Sequence, residues 1–441
     1  MRKSAPAWTR VNIAPVSPPA ETPATTPEPR AWRRLAGSRV FRQTALYTGA
    51  GGASMLLGGV AKAILAGQLE PAAYGTYEFA ASLLMLLALV FDFGLIMSAA
   101  RRLARGGERL RRELVGASMV AFAPLGLAFG VLVFGLSFVV DDVFSTNAGD
   151  ALRISSPLAF VWAFPLVGEL IGKGADRLHV FSFSQLAGRV AFVSVLAGLA
   201  ALGADLSVTF ALLLSSGGLL VSTVAFALWQ RPRLARTGEH LRSFASDVRA
   251  WSFNQYVGRL FSIGTYNMDV LMVAGFADAE STGYYALASA LTGLMSIPMT
   301  GLGAALYPRM AHRPRIEPRW LAGSWTIGAV GVVGIAFVAP PFIDLLFSDD
   351  YAPVAGLAIP LALGQAVRGV TSVYSNFLSS HGQGRSQRNA AFVLTVSNLV
   401  LNFALIPPFG ATGAAWASFF ALLANFAGYQ FYYRRYVGAA A

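Results

Sequence analysis

The sequence contains no cysteine, and only 13% of its 441 residues are charged. The absence of cysteine excludes disulfide bonds and thiolate metal sites, and the four histidines stand singly without the spacing of a metal site. A soluble domain carries about 25% charged residues, and no long stretch after the N-terminal region departs from the apolar pattern. These shortages leave no room for a soluble catalytic domain. We expect neither an enzyme nor a bound cofactor or metal.

Long apolar runs fill most of the chain, which is 55% hydrophobic with a mean hydropathy of +0.55. A helix needs about 20 mostly apolar residues to cross the hydrocarbon core of a membrane. The sequence therefore predicts an all-α polytopic membrane protein. Its predicted spans number about twelve and lie near 44–66, 74–99, 114–138, 151–171, 178–201, 207–229, 250–276, 282–306, 320–347, 352–379, 388–407 and 412–433.

The distribution of Lys and Arg supports this count. If the N-terminus is cytoplasmic, 29 of the 34 basic residues fall on cytoplasmic segments, including six Arg between 101 and 112. The six opposite loops hold none and carry acidic residues instead. This alternation follows the positive-inside rule and predicts that both termini are cytoplasmic. The net charge of +12 therefore needs no nucleic-acid partner.

The two halves of the chain resemble each other at a fixed offset of 208 residues. Gly75 corresponds to Gly283, and the pair Asp141–Asp142 corresponds to Asp349–Asp350. Six helices in each half give both halves the same orientation, which is a parallel repeat around a central cleft. We predict a disordered cytoplasmic tail (1–43), an N-terminal six-helix lobe (44–230), a cytoplasmic linker (231–249), a C-terminal six-helix lobe (250–433) and a cytoplasmic tail (434–441).

Besides Arg153, which we expect to reach the outer surface, four basic residues remain inside predicted spans: Lys62, Arg189, Arg259 and Arg368. Each would cost roughly 2.5–3.5 kcal/mol near the bilayer centre, so facing lipid is unfavourable. Three of them lie on polar stripes at helical spacing: Gln255, Arg259, Ser262, Tyr266 and Asp269; Gln365, Arg368, Ser372, Ser375 and Ser379; and Ser182, Gln185 and Arg189. Lys62 shares one side of its helix with Gly51 and Gly58. Such stripes either line a cavity or join helices. The excess of cations favours a cavity for an anion, since Arg binds phosphate through two parallel donors.

Acidic residues also lie within predicted spans, and four of them are candidate sites: Glu78, Asp92, Glu169 and Asp269. Each could pair structurally with a neighbouring helix or carry a coupling ion. For Asp92, Arg101 is a candidate partner. Asp92 also begins a "DFG" string, but the chain lacks the glycine loop and the catalytic loop that accompany this motif in a kinase.

Three stretches resemble polysaccharide flippases of the multidrug/oligosaccharidyl-lipid/polysaccharide exporter superfamily. They are "LEPAAYGTYEFAASLLMLLALVFDFGL", "YNMDVLMVAGFADAESTGYYALASAL" and "SSHGQGRSQRNAAFVLTVSNLVLNFALIPPFGATGAAWAS". The family patterns are L-G-x-x-x-Y-G-x-Y in the first, and N-L-x-L-N with L-I-P-x-x-G-x-x-G-A-A in the third. The chain departs from them at Leu69-Glu70, where the family has L-G.

The resemblance implies a flippase that moves an undecaprenyl-diphosphate-linked oligosaccharide across the bacterial cytoplasmic membrane by alternating access. It implies that Lys62, Arg189, Arg259 and Arg368 hold the diphosphate, and that Gln255, Gln365 and Tyr266 contact sugar. The expected partners are this lipid-linked oligosaccharide, membrane lipids, and a polysaccharide polymerase or glycosyltransferase. Two rivals remain. A multidrug cation antiporter needs an acidic cavity, and a peptidoglycan precursor flippase usually has helices beyond twelve.

Overall fold

The computed structural model describes residues 39–91, 95–103, 107–144, 146–248, 256, 268–347 and 349–440. Within these ranges the secondary structure is helical, with no strand. The described residues include nine helices long and apolar enough to cross a membrane, or ten if one bent pair is a single span. The protein is thus an all-α, multi-pass membrane protein. The twelve-span count stays a prediction, because most of the predicted span 250–276 lies outside the described residues.

The N-terminal half supplies ten α-helices and one 3-10 helix. These are α1 (Arg39–Gln68), α2 (Pro71–Val90), α3 (Leu95–Leu103), α4 (Glu108–Leu136), α5 (Val140–Val143), α6 (Gly149–Ser155), the 3-10 helix Ser156–Ala163, α7 (Phe164–Gly174), α8 (Leu178–Ala201), α9 (Val208–Gln230) and α10 (Thr237–Asp247).

The C-terminal half begins, in its described part, with the helical stretch 268–276. It continues with α11 (Ala279–Gly293), α12 (Ser296–Met310), α13 (Pro318–Leu346), the 3-10 turn Asp349–Tyr351, α14 (Pro353–Ser380) and α15 (Gly384–Ala440). Helix α11 meets the start of α12 at an angle of 41°. Helix α15 is broken at Gly410, whose φ of 55° only glycine adopts readily. The break falls between the last two predicted spans.

Several boundaries differ from the sequence prediction. Helix α1 begins at Arg39, so the last residues of the predicted 1–43 tail are helical. The second predicted span, 74–99, is not one described helix, since α2 ends at Val90 and α3 begins at Leu95. The predicted linker 231–249 contains the helix α10. Hydropathy could not show these features, because it records apolar length and not backbone geometry.

The fourth span contains an unusual 3-10 segment. Residues Gly149–Gly174 form one apolar stretch, but its middle eight residues, Ser156–Ala163, are a 3-10 helix. Prolines occupy the first turn of this segment and the first turn of α7. Because proline lacks a backbone N–H, the regular α-helical hydrogen bonds are interrupted at both places. Runs of 3-10 helix longer than three or four residues are uncommon.

Helices α4 and α13 lie at the periphery, and only 11% of each apolar window is buried. Their outward side chains include Leu127, Val131, Phe337 and Leu345, all more than 60% exposed. Such apolar exposure is expected for surfaces that face lipid rather than water. The two helices occupy nearly equivalent positions of the 208-residue repeat, so each half presents its third predicted span to the membrane.

Helices α2 and α11 form the most extensive contact between the described parts of the two halves. A Cβ atom on Gly75 would collide with the carbonyl oxygen of Ala279, and one on Gly283 would collide with that of Pro71. The contact is reciprocal, because Pro71 and Ala279 are themselves 208 residues apart. Two-fold related helices meet in this way on their axis. The contact therefore agrees with the predicted parallel repeat, whose full extent stays a prediction.

The linker helix α10 is fastened to the N-terminal half. Asp247 accepts hydrogen bonds from Arg102 Nε at 2.7 Å and from Ser98 Oγ at 2.9 Å. The hydrogen bond from Arg102 holds the pKa of the Asp247 carboxyl below its usual range. The backbone N–H of Arg233 donates to the carbonyl of Arg112 at 2.8 Å. The linker therefore packs on α3 and α4 rather than hanging free between the halves.

Candidate functional site

A cavity of about 380 Å³ lies between α1 and α8 of the N-terminal half and α11 of the C-terminal half. We call it the interlobe cavity. Two cations, Lys62 and Arg189, line it together with Gln185, and no carboxylate is among its lining residues, all of which are described. Gly58 faces the guanidinium of Arg189, where an added Cβ would lie 3.9 Å from Cζ. The predicted stripes of α1 and α8 therefore face one space.

The ammonium of Lys62 is partly neutralised by the buried carboxylate of Glu78. Its Nζ lies 2.8 Å from Oε2 of Glu78, and the hydroxyl of Tyr74 donates to Oε1 at 2.9 Å. Glu78 is only 5% exposed, whereas the Lys62 side chain is 39% exposed toward the cavity. Because an ammonium has three donors, Lys62 can bind Glu78 and still present N–H groups to an anion. Glu78 therefore pairs with Lys62.

A second cavity, of about 420 Å³, lies between α12 and α14. We call it the C-terminal cavity. The stripe of α14 supplies Gln365, Arg368 and Ser372, and Asn376 extends it by one turn. Thr300 and Tyr307 face them from α12. Oε1 of Gln365 is buried without a hydrogen-bond partner among the described residues.

The two cavities are neighbours at the bend between α11 and α12. Leu294 lines the interlobe cavity and Ser296 lines the C-terminal cavity. The hydroxyl of Ser296 approaches the sulfur of Met55, an interlobe lining residue, at 3.7 Å. We call the contact between Met55 and Ser296 the partition. The structure thus distributes the three described cations, Lys62, Arg189 and Arg368, between two adjacent spaces rather than one.

Asp269 is buried in a network of neutral groups. Its carboxylate accepts hydrogen bonds from Asn402 Nδ2 at 2.7 Å, Ser418 Oγ at 2.8 Å and Tyr285 Oη at 2.9 Å. Asn402 also contacts Asn398 at 3.2 Å, and its own Oδ1 is buried without a hydrogen-bond partner in the described part of the chain. A buried acceptor without a partner is rare and calls for an explanation. Asp269 makes no ion pair with the described residues.

The remaining predicted residues fall into two groups. Glu169 pairs with Lys173 one helical turn away at 2.5 Å, and both side chains are partly exposed. Arg259, Gln255, Tyr266 and Asp92 lie outside the described residues, so their placement stays a prediction. The described residues hold no cluster of three or more His, Cys, Asp or Glu that could form a metal centre.

Sequence reasoning missed the amides around Asp269 and part of the lining of the C-terminal cavity. Asn398 and Asn402 are four residues apart in an apolar run, which places both on one face of α15. That spacing could have predicted that both amides face the same neighbouring helices. By contrast, Asn376 lies one residue from the predicted stripe, and the contribution of α12 depends on how helices far apart in sequence pack.

The fold is that of transporters of the multidrug/oligosaccharidyl-lipid/polysaccharide exporter (MOP) superfamily. It matches an inward closed conformation of the lipid II flippase MurJ with a TM-score of 0.70 and 18% identity, covering 88% of this chain and 87% of that one. It also matches an inward-facing MATE family multidrug resistance transporter with a TM-score of 0.58 and 16% identity, covering 90% and 96% of the two chains. A MOP superfamily transporter from Pyrococcus furiosus gives 0.54 at 14% identity, covering 90% and 96%.

Within this class, the chain belongs to the polysaccharide biosynthesis protein family, whose model matches residues 40–313. It is also similar to the probable low-salt glycan biosynthesis flippase Agl15 of Haloferax volcanii. That similarity is 23% identity over 375 residues, which cover 81% of this chain and 76% of the relative. The resemblance seen in the sequence is confirmed, and the protein is a membrane flippase of the MOP superfamily that serves polysaccharide biosynthesis.

Proposed function

We propose that this protein translocates an undecaprenyl-diphosphate-linked oligosaccharide from the cytoplasmic to the outer leaflet of a bacterial cytoplasmic membrane, with both termini in the cytoplasm. The observation that carries the proposal is the interlobe cavity, where Lys62 and Arg189 meet between the two halves. Paired cations bind phosphate oxygens strongly in a site with little water. A cavity between two halves is also where rocking would expose the ligand to each side in turn.

The rival transport functions make different demands on the same cavity. A cation antiporter would need acidic lining, whereas the interlobe cavity is lined by two cations and its nearest acid, Glu78, is held by Lys62. A peptidoglycan precursor also carries a diphosphate, so the cations alone do not separate that lipid from an oligosaccharide lipid. Membership of the polysaccharide biosynthesis protein family favours the oligosaccharide. A glycosyltransferase would then supply the substrate at the inner face of the membrane. A polymerase would use the product at the outer face.

We further propose that Asp269 binds the ion that couples transport. Its surroundings supply carboxylate, amide and hydroxyl oxygens from the stretch 268–276, α11 and α15. Hard cations such as Na⁺ prefer oxygen ligands, and a carboxylate can alternatively take a proton. The unpartnered Oδ1 of Asn402 is an oxygen that such an ion would satisfy. The network joins helices of one half, so its occupancy would alter their packing.

The experiment is a translocation assay with the full chain in lipid vesicles. Fluorescent undecaprenyl-diphosphate oligosaccharide is added to both leaflets, and a membrane-impermeant quencher reports the rate of exchange. We expect rapid exchange for the wild type, and at least tenfold slower exchange for Lys62→Ala and Arg189→Ala. Lys173→Ala, which removes a cation outside the cavity, is the control. Faster exchange of a peptidoglycan precursor, or transport of an organic cation dye alone, would replace the proposal by the corresponding rival.

A further inference from the structure

The two cavities differ in chemistry more than in size. The interlobe cavity has two cations, one amide, Gln185, and two hydroxyls, those of Ser54 and Ser289. The C-terminal cavity has one cation and two amides, Gln365 and Asn376, together with hydroxyl groups. Those hydroxyls belong to Ser296, Thr300, Tyr307 and Ser372, and no carboxylate is among the lining residues, all of which are described. Amides and hydroxyls donate and accept hydrogen bonds without charge, which suits a polyhydroxylated ligand.

Two details indicate that the C-terminal cavity is prepared for such a ligand. Oε1 of Gln365 is buried without a partner among the described residues, and an unsatisfied buried acceptor is unfavourable unless a ligand donates to it. On the opposite wall, Gly303 leaves room for the Asn376 amide, because an added Cβ there would lie 2.8 Å from Nδ2. The glycine therefore lets the amide reach across to α12.

The two cavities are placed end to end. The bent pair α11 and α12 contributes to both, with Leu294 on one side of the bend and Ser296 on the other. The partition, Met55 against Ser296 at 3.7 Å, joins a lining residue of one cavity to a lining residue of the other. A lipid-linked saccharide has the same order of parts, since its charged diphosphate joins directly to its neutral, hydroxyl-rich sugars.

We propose that the C-terminal cavity is a saccharide subsite, that the interlobe cavity holds the diphosphate, and that the Met55–Ser296 partition parts when both are filled. This assignment rests on the proposed function and deepens it. It moves Arg368 from the diphosphate, where the resemblance put it, to the saccharide, because Arg368 lines the same cavity as Gln365 and Ser372. It also adds Asn376, Thr300 and Tyr307 as residues that select the sugar.

The first test compares two probes on the full chain in detergent: undecaprenyl diphosphate without sugar, and the same lipid carrying a neutral disaccharide. We expect the wild type to bind the glycosylated probe about tenfold more tightly. Gln365→Leu and Asn376→Leu should bring the ratio of the two affinities close to one. Arg189→Ala should weaken both probes by a similar factor. Gln383→Leu, on the turn after α14 and outside both cavities, should keep the wild-type ratio.

Each other result has a defined meaning. If the C-terminal variants weaken both probes alike, or the wild type does not prefer the glycosylated probe, the subsite assignment is wrong while the proposed function stands. If the wild type binds neither probe, the proposed function fails and the assignment fails with it. Melting temperatures of all variants, measured in the same detergent, separate a lost contact from a lost fold.

The second test uses the cysteine-free chain to lock the partition. Met55→Cys combined with Ser296→Cys places one thiol at the position of the Ser296 hydroxyl and the other one bond short of the Met55 sulfur, which lies 3.7 Å from that hydroxyl, so a slight approach of the two helices closes the disulfide. The oxidised protein should bind undecaprenyl diphosphate but lose its preference for the glycosylated probe, and dithiothreitol should restore that preference. An oxidised protein that still prefers the glycosylated probe would overturn the role of the partition. Each single-cysteine variant, treated with the same oxidant, is the control.

Discussion

Gly75 and Gly283 occupy equivalent positions of the 208-residue repeat, and each lets its helix rest against the backbone of the other. The contact lies near the start of α2 and the start of α11, on the side that the charge pattern places outside. Tyr351 adds a second tie on this side, donating a hydrogen bond of 3.0 Å to the carbonyl of Leu69. With the orientation that the charge pattern predicts, outward opening would separate the halves here, and we propose that this contact closes the outer side.

Any side chain at the glycine contact should therefore weaken outer closure. In Gly75→Val or Gly283→Val, the new Cβ meets backbone, which cannot rotate aside, and such overpacking typically costs about 1–3 kcal/mol. We expect a lower melting temperature and at least tenfold slower translocation in vesicles. Gly217→Ala, where nothing lies within 4 Å of the added carbon, should behave as wild type. Wild-type transport in both valine variants would show that this contact does not close the outer side.

Variants of Lys62 and Glu78 should distinguish a contribution to folding stability from a contribution to ligand binding. Lys62→Met leaves the buried Glu78 carboxylate without its cation, and because the Lys62 side chain is 39% exposed and screened by solvent, the cost falls below the about 3–5 kcal/mol of a fully buried pair. We expect a lower melting temperature for Lys62→Met and recovery of most of that loss in the double variant with Glu78→Gln. Translocation should stay at least tenfold reduced in both, because the cavity has lost a cation. Full transport by the double variant would mean that Lys62 only neutralises Glu78.

Substitution of Asp269 should show whether translocation is coupled to an ion gradient. Asp269→Asn keeps the shape and much of the hydrogen bonding with Asn402 and Ser418, but it removes the charge. We expect a folded protein whose translocation no longer responds to an imposed Na⁺ or proton gradient. The matched control is Glu169→Gln, which neutralises a partly exposed carboxylate that is paired with Lys173. An unchanged gradient response in Asp269→Asn would give Asp269 a purely structural role.

The ion pair between Asp247 and Arg102 should make the packing of the linker helix α10 depend on pH in the acid range. The folded pKa of Asp247 is lowered, so its contribution is fully present above the ordinary aspartate pKa of about 3.9 and is lost as pH falls through the folded value. Both side chains are partly exposed, so the effect is on the order of 0.2–1 kcal/mol. Asp247→Asn should lower the melting temperature slightly and equally between pH 5 and 8. The difference from wild type should shrink below pH 4; a difference that grows there would contradict the assignment.

Cysteine labelling tests the orientation of the chain. A membrane-impermeant thiol reagent added outside cells should modify Glu70→Cys and Asp142→Cys, but not Arg236→Cys or Arg242→Cys. Asp142 is a better position than Asp141, because the Asp141 carboxylate accepts the backbone N–H of Gly149 at 3.0 Å. Lysed cells provide the control that all four positions can react. Outside labelling at Arg236 would reverse or break the predicted topology.

The sequence predicted the helical class and most of the spans, because these depend on residues a few positions apart. Lys62 and Arg189, which it assigned to a cavity, line one in the structure, whereas the stripe from Gln255 to Asp269 stays a prediction. It did not show that Glu78 pairs with Lys62, nor that Asp269 is surrounded by amides and hydroxyls from α11 and α15. Those contacts depend on the packing of helices that are 16 to more than 100 residues apart. The division into two cavities depends on the bend after α11, which hydropathy does not record.

The 3-10 segment Ser156–Ala163 also affects how the protein fits its membrane. A 3-10 helix rises about 2.0 Å per residue and an α-helix about 1.5 Å, so converting the eight residues would shorten this span by about 4 Å. Biological bilayers differ in hydrocarbon thickness by a similar few ångströms. Gly126 rests against Phe160 in the middle of the segment, so such a change would slide one helix along another. Bilayer thickness would thereby alter the packing of helices in the N-terminal half, independently of what either cavity binds.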